Sequence, residues 1–216
     1  MQVIDAHDFV TKVTPALEAQ DWTGLRTTLE TNWTSDQIVS LLYHDWADAR
    51  KIAALSVGLI GQTGCLPDLQ AKLRDADRVV VDMAEHAMWQ IWFRGGCAAA
   101  NAHVARGAEA LNRSELDEAV GLLDQAITLS PEFAEAYNQR AIAHYLAERY
   151  QASIDDCERV IGLMPMHFGA LCGLGHSHLA LGNAEHALRA YQKALNVNPH
   201  LECVSELVQE LREQVG

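Results

Sequence analysis

The chain lacks any apolar run approaching the roughly 20 residues that a membrane-crossing helix needs, so no membrane span is expected. Its opening, "MQVIDAHDFV", has no basic stretch followed by an apolar one and does not read as a secretion signal. Cysteine is sparse and scattered: Cys65, Cys97, Cys157, Cys172 and Cys203 form an odd set with no CxxC. That pattern argues against a disulfide framework and for reduced thiols in a cytoplasmic setting. Basic residues are outnumbered, 16 Lys and Arg against 29 Asp and Glu, for a net charge of −13. A field of that sign repels phosphate backbones and excludes nucleic acid as an expected partner. The sequence has no Walker A, GxGxxG, GxSxG or HExxH pattern, so the common nucleotide, acyl-transfer and zinc-protease chemistries find no motif.

Alanine and leucine are plentiful and only five prolines occur in 216 residues, which favours helix. Three prolines keep a strict interval. Pro131, Pro165 and Pro199 are each 34 residues from the next. Stacked on that interval, Gly107, Ala141 and Gly175 share one column, and Ala119, Ser153 and Ala187 another. Leu123, Cys157 and Tyr191 share a third, and Ala126, Val160 and Ala194 a fourth. Small residues in two columns let paired antiparallel helices approach, and the larger third column fills the space beside them. Proline near the end stops the second helix, because it donates no backbone hydrogen bond and pushes its predecessor out of the α region.

These columns resemble the tetratricopeptide repeat (TPR) family, with repeats at 100–133, 134–167 and 168–201. The middle one, "AEAYNQRAIAHYLAERYQASIDDCERVIGLMP", carries the resemblance best. The first departs from it with His103 at an aromatic place and Ser114 at a glycine place. Leu201, Val204, Leu207, Val208 and Leu211 then lie on one helical stripe, and 201–214 reads as a capping helix with a polar outer face.

A second interval runs through the first half. "DQIVSLLYHDWADARKIAALSVGLIG" and "PDLQAKLRDADRVVVDMAEHAMWQIW" align at an offset of 31, matching Ile38 with Leu69, Leu42 with Leu73, Ala49 with Val80, Ala53 with Ala84, and Ile60 with Ile91. Each unit reads as a short helix, a polar turn and a longer helix. "LRDADRVVVDMAEHAM" is similar to the HEAT repeat in the short form of phycobilisome-lyase-like proteins, with Arg50 at the family's arginine place and Val81 in its stead in the second copy. Upstream, a further helix pair is expected near 8–19 and 23–31. The resemblances imply an all-α fold, a right-handed superhelical α-solenoid of antiparallel helix pairs. HEAT-like repeats would occupy 1–95 and the TPR array with its cap 97–216, joined through "RGGCAAANA" into one continuous superhelix.

Candidate chemistry is thin. His176 and His178 form an HxH pair, but neighbours two apart on a helix point in different directions, so packing is the expected role and no metal is expected. "DDCE" (155–158) reads as a solvated acidic face. Cys172 falls on a groove column with no cation beside it in sequence to lower its pKa. Trp46, Trp89 and Trp92 read as core filling or as an aromatic anchor for a partner. No catalytic residue and no cofactor is expected.

The TPR resemblance implies a concave groove lined by the first helix of each repeat. It assigns partner contact to Asn101, Val104, Ala108, Glu135, Asn138, Gln139, Ile142, Tyr145, Gly169, Cys172, Gly173 and His176. TPR domains that grip acidic chaperone tails place Lys, Arg and Asn at positions matched here by Val104, Ala108, Gln139, Gly169 and Gly173, so an acidic C-terminal tail is not the expected ligand. The resemblance implies instead a scaffold or assembly adaptor, without catalysis, that holds a peptide or amphipathic helix of another protein in this groove. Two alternatives stand beside it. One is a bilin-lyase-like, tetrapyrrole-handling role for the first half; the other is a module that associates with further copies of itself as a homo-oligomer.

Overall fold

The protein is represented by a computed structural model that describes residues 4–215. Among the described residues there are thirteen α-helices, two short 3-10 turns and no strand. The chain divides into two compact units, Met1–Trp92 and Phe93–Gly216.

The first unit contains α1 (Ala6–Glu18), α2 (Trp22–Asn32), α3 (Ser35–Ser40), α4 (Ala47–Ile60), α5 (Leu66–Lys72) and α6 (Arg78–Trp92). Its sequence offset is visible in the elements themselves, since α3 and α5 begin 31 residues apart, as do α4 and α6. Ile38, Leu42, Ala49 and Ala53 are buried, and so are their partners in the alignment, Leu69, Leu73, Val80 and Ala84. Gly58 of α4 lets this helix close on α6: a β-carbon there would lie 2.9 Å from the Ala87 backbone. Asp5 caps α1 through the amides of His7 and Asp8, and Thr34 with Gln37 makes a capping box on α3. Arg50 ties the two similar halves of the unit together. Its guanidinium grips Asp75 with bonds of 3.0 and 2.8 Å and donates to the carbonyls of His44 and Asp45. Burial pushes the Asp75 carboxyl up, but the Arg50 bonds and the amide of Asp77 outweigh it and hold the group below its ordinary value.

The second unit is a ladder of helix pairs: α7 (Ala98–Asn112) with α8 (Leu116–Leu129), α9 (Ala134–Leu146) with α10 (Tyr150–Leu163), and α11 (Phe168–Ala180) with α12 (Ala184–Val197), closed by α13 (Glu202–Val215). Each pair turns through one left-handed residue, Ser114 (φ 61°), Glu148 (φ 57°) and Gly182 (φ 76°), again 34 apart. The next amide reaches back to the helix, as in Arg149 N–H to the His144 carbonyl at 2.8 Å; this satisfies a carbonyl that the helix end leaves open. The period prolines follow the C-caps Ser130, Met164 and Asn198, whose ψ values of 82°, 82° and 102° are non-helical and match the restriction that proline imposes on its predecessor.

The aligned columns meet inside each pair. A β-carbon on Gly107 would lie 2.9 Å from Leu123 Cγ, and one on Gly175 would enter the ring of Tyr191. Glycine in the first helix is thus matched to a large residue in the second. The middle pair balances the same sites differently, with buried Ala141 in α9 and buried Cys157 in α10. Arg140 braces the other side of this pair, bonding Asp156 of α10 at 2.8 and 2.6 Å and reaching Asp124 of α8.

A candidate partner-binding cleft

Because Cys157 is shorter than Leu123 or Tyr191, and because α11 carries Gly169 and Gly173, space is left over between α9, α10 and α11. The result is a cleft of about 200 Å³. Asn138, Ala141, Ile142 and Tyr145 line it from α9, Ser153 and Cys157 from α10, and Gly169, Gly173 and His176 from α11. A β-carbon on Gly173 would meet only Cys157 Sγ, at 3.2 Å, so this glycine faces the cleft and not a packed helix. Ile142 and Tyr145, which line it, are exposed, and so is Leu146 beside Tyr145 on the same helix, by 52%. They stand at i, i+3 and i+4 on one face of α9, an apolar lip beside an apolar recess.

The polar side chains around the cleft each make a hydrogen bond within the protein. Asn138 Nδ2 donates to Glu135 Oε1 at 3.1 Å, and Gln139 Nε2 donates to the same oxygen at 2.6 Å. Ser177 donates to Ser153 Oγ at 2.9 Å, and Ser153 bonds the thiol of Cys157. His176 Nδ1 is 2.7 Å from the Tyr191 hydroxyl. Burial pushes the Cys157 thiol up to about 12, raises the Tyr191 phenol and lowers the His176 imidazole. That direction disfavours a thiolate at Cys157, and no Lys or Arg lines the cleft.

Six of the twelve expected contact residues come together here: Asn138, Ile142, Tyr145, Gly169, Gly173 and His176. The others are placed differently. Val104 is not a groove residue; it is fully buried in the core of the first pair with Ala100 and Leu123. Glu135 is not a groove charge. Its side chain is fully buried, bonded at 2.9 Å to the equally buried His167 as well as to both amides. His167 Nδ1 accepts from Ala170 N–H at 3.1 Å, so the ring's proton sits on Nε2 and is donated to Glu135. Gln139 is buried with it. Asn101 and Ala108 are half-buried on α7; the Asn101 carboxamide oxygen accepts from Gly96 N–H. Cys172 is half-buried against the cluster built on Tyr191 and Val204. Cys157 and Ser153 were not expected at the site, although a short residue in a column otherwise holding Leu and Tyr is the signal of a notch.

His176 and His178 diverge, the first toward Tyr191 and the second toward His186. No group of three His, Cys, Asp or Glu among the described residues is arranged to hold a metal ion. In the first unit Trp92 is buried against half-buried Trp89, ring edge to face at 4.9 Å, whereas Trp46 is exposed beside His7. No helix of the described residues is long and apolar enough to cross a membrane.

Comparison with known proteins places the second unit. Residues 104–165 and 168–201 match tetratricopeptide-repeat families, so this part of the chain carries TPR repeats. A TPR repeat-containing protein of Rhizobium etli is 32% identical over 125 residues, 58% of this chain and 61% of that protein. The Hsp70-Hsp90 organizing protein of Triticum aestivum is 34% identical over 95 residues, 44% of this chain but 16% of its own length. The chain thus spans less than two thirds of each. Among solved structures, the first TPR of Spaghetti bound to the HSP90 peptide SRMEEVD superposes with a TM-score of 0.53 at 18% identity, covering 54% of this chain and 93% of that one. The Arabidopsis OM64 TPR domain gives 0.53 at 22% identity, covering 54% and 96%. Both share a fold of antiparallel helix pairs with the part of the chain that they cover.

Proposed function

We propose that the protein is a non-catalytic interaction adaptor whose TPR repeats hold a segment of another protein against α9 and α11. The observation that carries this reading is the exposed lip of Ile142, Tyr145 and Leu146 beside the cleft. Exposed apolar groups at helical spacing, next to a recess that no Lys or Arg lines, suit an amphipathic helix or an extended peptide. The named relatives and neighbours include chaperone-organizing and chaperone-peptide-binding TPR proteins, which supports a protein partner. The choice of ligand is a different matter. Glu135 puts a carboxylate behind Asn138, and no cation lines the cleft to receive the acids of a peptide such as SRMEEVD. An acidic tail is disfavoured on both counts.

The test has two arms. Capture from a lysate of the source cell should retain a partner on the wild-type chain and lose it on an Ile142→Ser/Leu146→Ser variant; equal capture by both removes the reading. Fluorescence anisotropy with labelled SRMEEVD should show no binding, and saturable binding that weakens steeply with salt would return the acidic tail as ligand.

For the first unit we infer a HEAT-like arrangement. The support is the offset of 31 shared by short and long helices, and the Arg50–Asp75 pair that links one copy to the next. None of the five cysteines is in a disulfide, which suits a reducing, cytoplasmic setting.

A further inference from the structure

We propose that the cleft between α9, α10 and α11 is a receptor for one uncharged aliphatic or thioether side chain of the partner, leucine- or methionine-like, and that Cys157 sets its size. The proposal rests on the adaptor reading and makes it specific.

Three observations carry it. First, the recess is a property of the middle repeat. In its neighbours a large side chain from the second helix closes on a glycine of the first, Leu123 on Gly107 and Tyr191 on Gly175. Cys157 against Ala141 leaves that volume unfilled, and Gly173 opposite offers no side chain to fill it. Second, the volume suits one side chain. An apolar cavity of about 150 Å³ takes up a benzene molecule, and this cleft measures about 200 Å³. Third, the chemistry suits an apolar occupant. Asn138, Ser153 and His176 each already use a hydrogen-bonding group within the protein, which leaves fewer partners to repay a polar group for the water it gives up on entering the cleft. An anionic group would also approach the buried Glu135 carboxylate with no cation to compensate. Sulfur and methyl groups have no such loss and gain dispersion contacts with Cys157, Ala141 and Ile142.

The probes are N-acetyl-methionine methylamide, N-acetyl-leucine methylamide and N-acetyl-aspartate methylamide, titrated into the full-length ¹⁵N-labelled chain. With the first two, the amide signals of Gly169 and Gly173 should shift in a saturable way; with the third they should not. Cys157→Leu fills the cleft from α10 and should weaken the methionine probe at least tenfold. Gly173→Leu fills it from α11 and should do the same, so the test survives a failure of either variant to fold. Cys157→Ala should keep binding. No saturable shift with the apolar probes, equal shifts with the aspartate probe, or full affinity in a folded cleft-filling variant would overturn the proposal. Failure of the adaptor reading looks different: the probes would bind while lysate capture ignored the lip variant.

Discussion

Gly175 and Tyr191 share one packing site from two helices: the hydrogen of the first leaves room for the ring of the second. A β-carbon at 175 would stand 2.8 Å from Tyr191 Cζ and closer still to the ring edge, and the ring is fully buried. Gly175→Ala should therefore destabilise the second unit by about 1–3 kcal/mol, the usual range for overpacking. Two residues earlier, Gly173→Ala meets only a sulfur at 3.2 Å and should be neutral or stabilising by up to about 1 kcal/mol. Urea unfolding of the two variants side by side measures the contrast; equal effects would mean that the glycines are interchangeable.

The left-handed turn residues make an internally controlled set. Ser114 and Glu148 adopt a positive φ that glycine holds in the third pair at Gly182, and a side chain there costs roughly 1 kcal/mol. Ser114→Gly and Glu148→Gly should each raise the melting temperature, while Gly182→Ala should lower it. A fall in melting temperature for both glycine variants would show that the serine and glutamate side chains contribute more than the backbone strain they bring.

Glu135 is a structural group in spite of its groove column. Glu135→Ala would leave His167, Asn138 and Gln139 with donors that lose their acceptor. Unpaired buried polar groups cost about 1–3 kcal/mol each, so a loss of several kcal/mol is expected. Glu135→Gln keeps an acceptor and should cost less. Chemical denaturation ranks the two variants. An alanine variant as stable as the wild type would mean that the pair is not part of the packed interior.

Acid should weaken the second unit through its histidines. Burial lowers the imidazoles of His144, His176 and His178. As pH falls through the unfolded value of about 6.5, the unfolded chain takes up protons that the folded chain refuses, so stability is lost from there downward and is intact above. His178 Nδ1 is moreover buried without a hydrogen-bond partner. His178→Phe should be more stable at neutral pH by about 1 kcal/mol and should have a flatter stability curve between pH 7 and 5. Parallel curves for variant and wild type would remove His178 from this account.

The period of the prolines, the four columns and the capping stripe were legible because each follows from a local rule. Proline stops a helix wherever it stands, and a small residue opposite a large one can be read by stacking the repeats. The groove was legible only in part. A column tells which side of its helix a residue occupies, but not what arrives from elsewhere to cover it. Glu135 is sealed by His167, from the connector 32 residues on, and Val104 by the core of its own pair. The cleft is made by the shortness of Cys157, a deficit that shows only when its column is compared with Leu123 and Tyr191. The exposed lip was legible, because Ile142, Tyr145 and Leu146 all fall on groove columns of the second repeat, and all three are exposed.

The two fastenings between α9 and α11 differ in kind. Near the start of the helices, Glu135 and His167 are joined by a buried hydrogen bond of 2.9 Å. Near their ends, Tyr145 and His176 meet only as rings with centroids 6.2 Å apart. Parting the first contact would strand a buried donor and acceptor, whereas parting the two rings would cost only dispersion contacts. Bending of the ladder at this joint would then change the width of the cleft mouth more than its depth.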